Sequence, residues 1–394
     1  MLSKNWYYSL SKFLFISLLL YFKMPIVNAQ ENQWEIPVYF VSDRISMQHR
    51  FDKQSFEQTI TGQHIRFGCL WVDIKDADNI AKNPELVQKL KWKKIINHTD
   101  KSDTIESQFH KTPEAYMAYS SSKNKQALLN SNIDFINDFI SNFQEYVSLC
   151  PNQKFILFVH GCCLSLNETF ETAGQLAMST KLPVMIFDWA TPGRLQVPIL
   201  PEINAYRKSE RALEISYHNF HDFISFLTPN IQNLQCVMIG HSMGNRLIYN
   251  ELLRRENNKQ LHFDQIHWIA ADKSLPAFLL EQNIICDFAR KVYVYTDKSD
   301  PWLKFSQILS SDVPRLGCSS EFLDFSQNFN DLYLDYPDNR YFLDVDSLKL
   351  KHNLPFALIN DLIHHDIDQT KRFEFIITSP KLGSHVLTVK TVNH

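Results

Sequence analysis

Glycine is scarce, with 9 in 394 residues, so two glycines paired around a serine carry more information than they would in an ordinary chain. Basic clusters are missing too. The formal charge is −3 and no Lys/Arg stripe stands out, which removes the electrostatic footprint of a nucleic-acid binder. A membrane-spanning helix needs about 20 apolar residues, and the N-terminal run "FLFISLLLYF" (Phe13–Phe22) is interrupted by Lys23 well before that. The cysteines show neither a CxxC repeat nor a Cys/His spacing suited to zinc, and the pattern calls for no metal and no cofactor. There is no internal repeat and no low-complexity tract.

What is present is apolar and aromatic: 44% of the residues are hydrophobic and 29 are Phe, ample for one large core. Lys4 and Lys12, the apolar run and the small residues "VNA" (Val27–Ala29) form the three-part pattern of a secretory signal peptide over 1–29, with cleavage near Ala29. A secreted or periplasmic protein, with one domain over 30–394, is expected. Export permits disulfides among Cys69, Cys150, Cys162, Cys163, Cys236, Cys286 and Cys318, although an odd count leaves one thiol over within a single chain.

Eight apolar runs read as strands: Ile36–Ser42, Ile65–Ile74, Lys154–His160, Pro183–Trp189, Gln235–Gly240, Gln265–Ala271, Lys291–Thr296 and Arg340–Val345. The later runs are almost continuously apolar, as strands covered on both faces are. Helical stripes lie between them, at Ile136, Phe139, Ile140, Phe143 and Val147, at Leu213, Ser216, Phe220, Phe223 and Phe226, and at Leu247, Ile248, Leu252 and Leu253. Alternating strands and helices predict an α/β fold with a mostly parallel, twisted sheet of about eight strands flanked by helices. Residues 75–130 read as a polar surface insertion. Residues 191–205 and 318–339 read as loops leaving the C-terminal ends of strands, where open α/β sheets bind ligands.

The flanked residue is Ser242, in "GHSMG" (Gly240–Gly244), between an apolar strand and a helical run. This is the context a nucleophile elbow requires: the turn exposes the hydroxyl, and the helix start offers unpaired N–H groups to developing negative charge. A small residue at a tight turn is the plain alternative. The amide of Met243, next after the serine, is one candidate oxyanion donor. The amide of Cys162, in the His-Gly turn "FVHGCC" (Phe158–Cys163), is the other. An acid and a histidine should follow in the order Ser, Asp, His. Asp297 and Asp300 in "YTDKSDPW" (Tyr295–Trp302) and Asp272 after the preceding strand are candidate acids, although such residues often serve as caps. His352, His364 and His365 are candidate bases. "HHDID" (His364–Asp368) is weighed as a metal site and read as a polar helix end.

Taken together, these segments resemble the α/β-hydrolase superfamily, and within it a bacterial esterase/lipase-like family of α/β hydrolases of unknown function. The resemblance rests on "FVHGCC", "FDWATPG" (Phe187–Gly193), "HSMGN" (His241–Asn245), "AAD" (Ala270–Asp272), "YTDKSDPWL" (Tyr295–Leu303), "RLG" (Arg315–Gly317), "KHNLPF" (Lys351–Phe356) and the early "VYFVSDR" and "IRFGCLWV". It runs from about Ile36 to Ile363. It implies the α/β-hydrolase fold with surface insertions, Ser242 as nucleophile, Asp300 as the orienting acid, His352 as general base and Asp272 as the acid in reserve. The sequence departs from the family pattern at Cys162–Cys163, where Tyr-Asn is usual, at Ala190–Thr191 in place of Pro-Ser, and at Lys351, where glycine precedes the histidine.

The expected activity is hydrolysis of a carboxylic ester through an acyl-enzyme. The apolar loops Val197–Leu200 and Phe322–Tyr336 favour a small-molecule or lipid-like substrate with an apolar acyl or aryl group. A non-catalytic binding protein on the same fold, or an acyltransferase using the same serine, are the competing readings. The adjacent Cys162 and Cys163 raise the further expectation that a disulfide there would reshape the oxyanion loop.

Overall fold

The computed structural model describes residues 33–44, 61–75, 95–96, 139–164, 166–191, 200–257, 260–318, 339–377 and 386–392. The expected signal peptide, most of the 75–130 insertion and most of the 191–205 and 318–339 loops lie outside the described residues. Residues 200–205 belong to a helix rather than a loop.

Eleven described strands form one sheet: β1 (Gln33–Arg44), β2 (Thr61–Lys75), β3 (Ile95–Ile96), β4 (Lys154–Val159), β5 (Val184–Asp188), β6 (Gln235–His241), β7 (Phe263–Ile269), β8 (Ala289–Thr296), β9 (Arg340–Asp344), β10 (Phe373–Ile377) and β11 (Val386–Thr391). Their order is β10-β11-β9-β8-β7-β6-β4-β5-β1-β2-β3. From β11 across to β1 every pairing is parallel. β10 at one edge and β2 and β3 at the other pair antiparallel. β9 is therefore not the final strand, as the sequence reading had it. β10 and β11 follow it, and their short, partly polar sequences lack the continuous apolar signal of strands covered on both faces.

The helices are α1 (Leu166–Thr180), α2 (Leu200–Asn230), α3 (Gly244–Arg254), α4 (Leu275–Cys286), α5 (Pro301–Leu309) and α6 (Phe356–His364), with a further helical turn series over 139–148. Period-two alternation on each strand sorts side chains to the two faces. Phe155, Leu157 and Val159 of β4 join a core with Phe143, Leu213, Phe220, Phe223, Leu247, Ile248 and Phe278. Ile156 and Phe158 join the opposite core with Phe170, Leu176, Leu358, Ile359 and Leu362. The described residues thus form three layers, α/β/α.

A buried polar cluster sits where β1 and β5 end. Arg44 donates from Nε to both oxygens of Asp188, at 2.9 and 2.8 Å, and Ser42 Oγ donates to the same carboxylate at 2.7 Å. His160 Nε2 lies 3.1 Å from Asp188 Oδ1, and all three charged or chargeable side chains are fully buried. Burial alone would push the Asp188 carboxyl up, but Arg44, His160 and Ser42 outweigh it and the net shift is downward.

Its neighbour Asp43 goes the other way. Burial raises it to about 6, against partial relief from Asn219 and the Ala190 amide and with a further push from Asp188. The folded protein therefore keeps the Asp43 proton through a window from about 4 to about 6 in which the unfolded chain has released it. That stability is fully present below the unfolded value and is lost as pH rises through 6. Asp43→Asn keeps an oxygen for the Ala190 amide, 2.7 Å away, and cannot titrate. Urea unfolding across this window should show wild type losing on the order of 2–3 kcal/mol that the variant does not lose. Parallel pH profiles for the two proteins would refute this assignment.

Candidate active site

β6 runs straight into Ser242, and α3 begins two residues later. Ser242 holds φ at +50°, a left-handed conformation that a non-glycine residue adopts only where its surroundings enforce it. Those surroundings are visible. Ser242 N donates to Ile269 O at 2.9 Å, and Asp272 N and Asn245 Nδ2 donate to Ser242 O at 3.2 and 3.1 Å. The flanking glycines make the turn sterically possible. A Cβ on Gly240 would sit 2.1 Å from Asn245 Oδ1, and one on Gly244 would sit 2.2 Å from His160 O. The second contact lets the end of β4 pass against the start of α3.

Asp300 is the N-cap of α5, its Oδ1 accepting from Trp302 N and Leu303 N at 2.9 and 3.1 Å. Its other oxygen accepts from His352 Nδ1 at 2.7 Å, and Ser242 Oγ donates to His352 Nε2 at 2.9 Å. Capping and orienting a histidine are alternatives at the sequence level. In the fold one carboxylate does both, one oxygen to each. Asp300 is fully buried, Ser242 nearly so, and the His352 side chain about one-sixth exposed.

His352 reaches this place through an unusual loop. Lys349, Lys351 and His352 have φ of +51°, +50° and +83°. Lys351 stands where the family pattern has glycine and takes a conformation glycine reaches without strain. Asp297 anchors the loop: its Oδ2 accepts from Lys351 N at 3.3 Å and its Oδ1 from Ser299 N at 2.8 Å. This candidate acid therefore holds the loop backbone rather than the imidazole.

The other candidates are placed elsewhere. Asp272 accepts from Tyr206 Oη at 2.7 Å, from Arg246 Nη2 at 2.9 Å and from Ser306 Oγ, and pairs with Arg315 at 3.3 Å. Burial raises its pKa, yet Arg246 and Arg315 bring it below the usual carboxylate range. It supports the elbow through its backbone amide and is not bonded to His352. His364 donates from Nε2 to Thr180 O at 2.8 Å, and His365 is the exposed C-cap of α6. Neither is bonded to Ser242, whereas His352 is. Among the described residues, no group of three or more His, Cys, Asp or Glu is arranged to hold a metal ion.

Residues 137–330 match the family described as "alpha/beta hydrolase of unknown function". The matched segment and the strand order agree on an α/β-hydrolase fold. No curated protein and no solved structure matches it.

In this α/β-hydrolase fold the turn after β4 lies directly against the elbow. A Cβ on Gly161 would come within 2.8 Å of Ser242 Cβ and 2.9 Å of His241 Nδ1. The next residues are Cys162 and Cys163, whose Sγ atoms are 2.9 Å apart. The Cys162 thiol is pushed well above its ordinary value, first by the hydrogen bond with Cys163 and then by burial. Cys163, at φ +64°, donates its amide to Thr191 Oγ1 at 2.6 Å. Sequence reasoning missed what stands behind this loop. Arg44 donates to Leu164 O and Thr191 O at 3.1 and 2.8 Å, while Trp189 Nε1 donates to His160 O at 2.7 Å. Arg44 and Asp188 sit inside the quoted "VYFVSDR" and "FDWATPG" segments, so residue type and place were in view. Their pairing across 144 residues was not.

Gly161→Ala is the direct test of the close approach. The added methyl must displace either the turn or the Ser242 side chain, and the loop amides move with it. The expected result is a rate loss of about 100-fold, the size of one lost oxyanion donor, with a melting temperature close to wild type. Wild-type turnover in this variant would mean that the turn is not part of the site.

Proposed function

We propose that this protein is an exported serine hydrolase acting on carboxylic esters through a Ser242–His352–Asp300 triad. The observation that carries the reading is the continuous hydrogen-bonded chain from Ser242 Oγ through both ring nitrogens of His352 to Asp300, at 2.9 and 2.7 Å. A serine hydroxyl is a poor nucleophile until a base takes its proton. His352 Nε2 accepts the Ser242 proton as Oγ attacks the ester carbonyl. Asp300 keeps the proton of His352 on Nδ1 and stabilises the imidazolium. The amides of Met243 and Cys162 are assigned to the tetrahedral oxyanion, one at the start of α3 and one on the turn that presses on Ser242. Collapse of the intermediate expels the alcohol, which takes its proton from His352. Water, deprotonated by the same base, then releases the acid and restores Ser242.

Trp302 supports an apolar acyl or aryl group in the substrate, since it is exposed in the first turn of α5, two residues from Asp300. Export rests on the N-terminal pattern of basic, apolar and small residues over 1–29.

A fluorophosphonate probe tests the reading, with turnover of short p-nitrophenyl esters alongside. Labelling of folded protein is expected, and it should vanish in Ser242→Ala. Folded protein that neither labels nor turns over esters would instead favour a binding protein on this fold. Faster acyl transfer to an added alcohol than to water would favour an acyltransferase.

A further inference from the structure

His241, the residue before Ser242, has no part in the proton transfers above, yet its ring touches both walls of the site. It is buried, its Nε2 lies 2.8 Å from the main-chain oxygen of His352, and its ring centroid is 5.0 Å from that of His352. A carbonyl oxygen only accepts, so His241 Nε2 carries the proton and donates it. In the neutral ring that leaves Nδ1 without a proton, and this buried atom has no hydrogen-bond partner. It faces Gly161, whose absent Cβ would come within 2.9 Å of it. The ring therefore fills the gap between the turn after β4 and the loop that delivers His352.

We propose that His241 is a positioning residue, which uses its Nε2–H to hold the left-handed backbone of His352 so that the imidazole spans Ser242 and Asp300. The inference rests on the hydrolase reading only for its kinetic consequence. Three facts converge on it. His352 has φ +83°, a conformation disfavoured for a side-chain-bearing residue unless its neighbours enforce it. The donor from His241 is a direct restraint on that residue's own carbonyl, whereas Asp297 restrains only the preceding amide. Finally, His241 is the last residue of β6 and adjoins Ser242 in the elbow backbone, so one rigid strand end sets both the nucleophile and the carbonyl of its base.

The environment keeps the donor in the required form. Burial, followed by the neighbouring His352, pulls the His241 pKa down to about 3. His241 thus remains a neutral donor throughout the working pH range, even while His352 takes up and releases a proton beside it. A second cationic imidazole at this distance would oppose the protonation of His352 that the chemistry requires.

Two substitutions separate the donor from the ring. The amide of glutamine places an N–H near the position of Nε2, so His241→Gln keeps the donor. His241→Phe keeps a flat ring and removes it. The expected result is a kcat loss of about 10- to 100-fold for His241→Phe, the usual penalty for a misplaced catalytic group, with KM little changed and with His241→Gln close to wild type. Equal losses in both variants, or wild-type kcat in His241→Phe, would overturn the proposal. If His241→Phe does not fold, His241→Ala against His241→Gln makes the same comparison.

A second arm needs no turnover. Nitrogen-15 NMR of the His352 ring, in a Ser242→Ala background, reports whether the proton remains on Nδ1 against Asp300. His241→Phe should disturb that signal and His241→Gln should preserve it, and an undisturbed signal in His241→Phe overturns the proposal. Loss of ester turnover in wild type with this NMR response intact would sink the hydrolase reading alone.

Discussion

Ser242→Ala is expected to lower ester turnover by roughly 10⁴- to 10⁶-fold, with the fold intact. Among the described residues the hydroxyl bonds to His352 alone, so its removal costs little stability. His352→Ala should lose about as much activity, and the double variant should be hardly worse than either single one, because residues that act as a unit are not additive. Asp300 distinguishes the triad from a mere cap. Asp300→Asn retains an oxygen for Trp302 N and Leu303 N, so α5 keeps its cap, but it no longer offers a carboxylate to His352 Nδ1. It should fold normally and lose on the order of 10⁴-fold in kcat through the wrong imidazole tautomer. Asp300→Ala should add about 1 kcal/mol of destabilisation from the lost cap. Steady-state kinetics and thermal melts on the five variants read this pattern. An Asp300→Asn enzyme with wild-type kcat would remove the acid from the mechanism.

The parts of this site that were legible in the sequence are the ones whose constraints are local. Ser242 stands out because a strand, two close-approach glycines and a helix follow one another within a few residues. Asp300 stands out because it precedes Pro301 after a strand, as an N-cap does. The eight-strand reading matched the continuous apolar runs of the inner strands and missed the two-residue edge strand β3 and the strands β10 and β11 that follow α6. His352 could be chosen only by resemblance. Its loop is built from three left-handed residues, none of them glycine, so no turn signal points at it. His241 was invisible for another reason: its role lies in a bond to a backbone oxygen 111 residues away. The Arg44–Asp188 pair is long-range in the same way, and each partner alone looks like an ordinary surface charge.

That pair carries the largest expected effect on stability. Asp188→Leu leaves the Arg44 guanidinium buried without a counter-charge and should cost about 3–5 kcal/mol in urea unfolding. Arg44→Met should cost a similar amount by stranding Asp188. The paired replacement, Arg44→Met with Asp188→Leu, should recover most of this, since well-packed apolar side chains often replace a buried ion pair at little cost. Activity should not recover with it. Arg44 also donates to Leu164 O and Thr191 O, and Thr191 Oγ1 in turn holds the amide of Cys163. With Arg44 gone these carbonyls lose their donor, and the turn that carries Gly161 and Cys162 loses the support that presses it against Ser242. The double variant should therefore unfold near the wild-type urea midpoint and still turn over ester about 100-fold more slowly, as expected for a displaced oxyanion donor. Full recovery of both properties would show that the ion pair serves stability alone. Recovery of neither would show that the surrounding apolar wall cannot repack around Met and Leu. The separation of the two marks Arg44 as the residue that couples the sheet to the oxyanion loop.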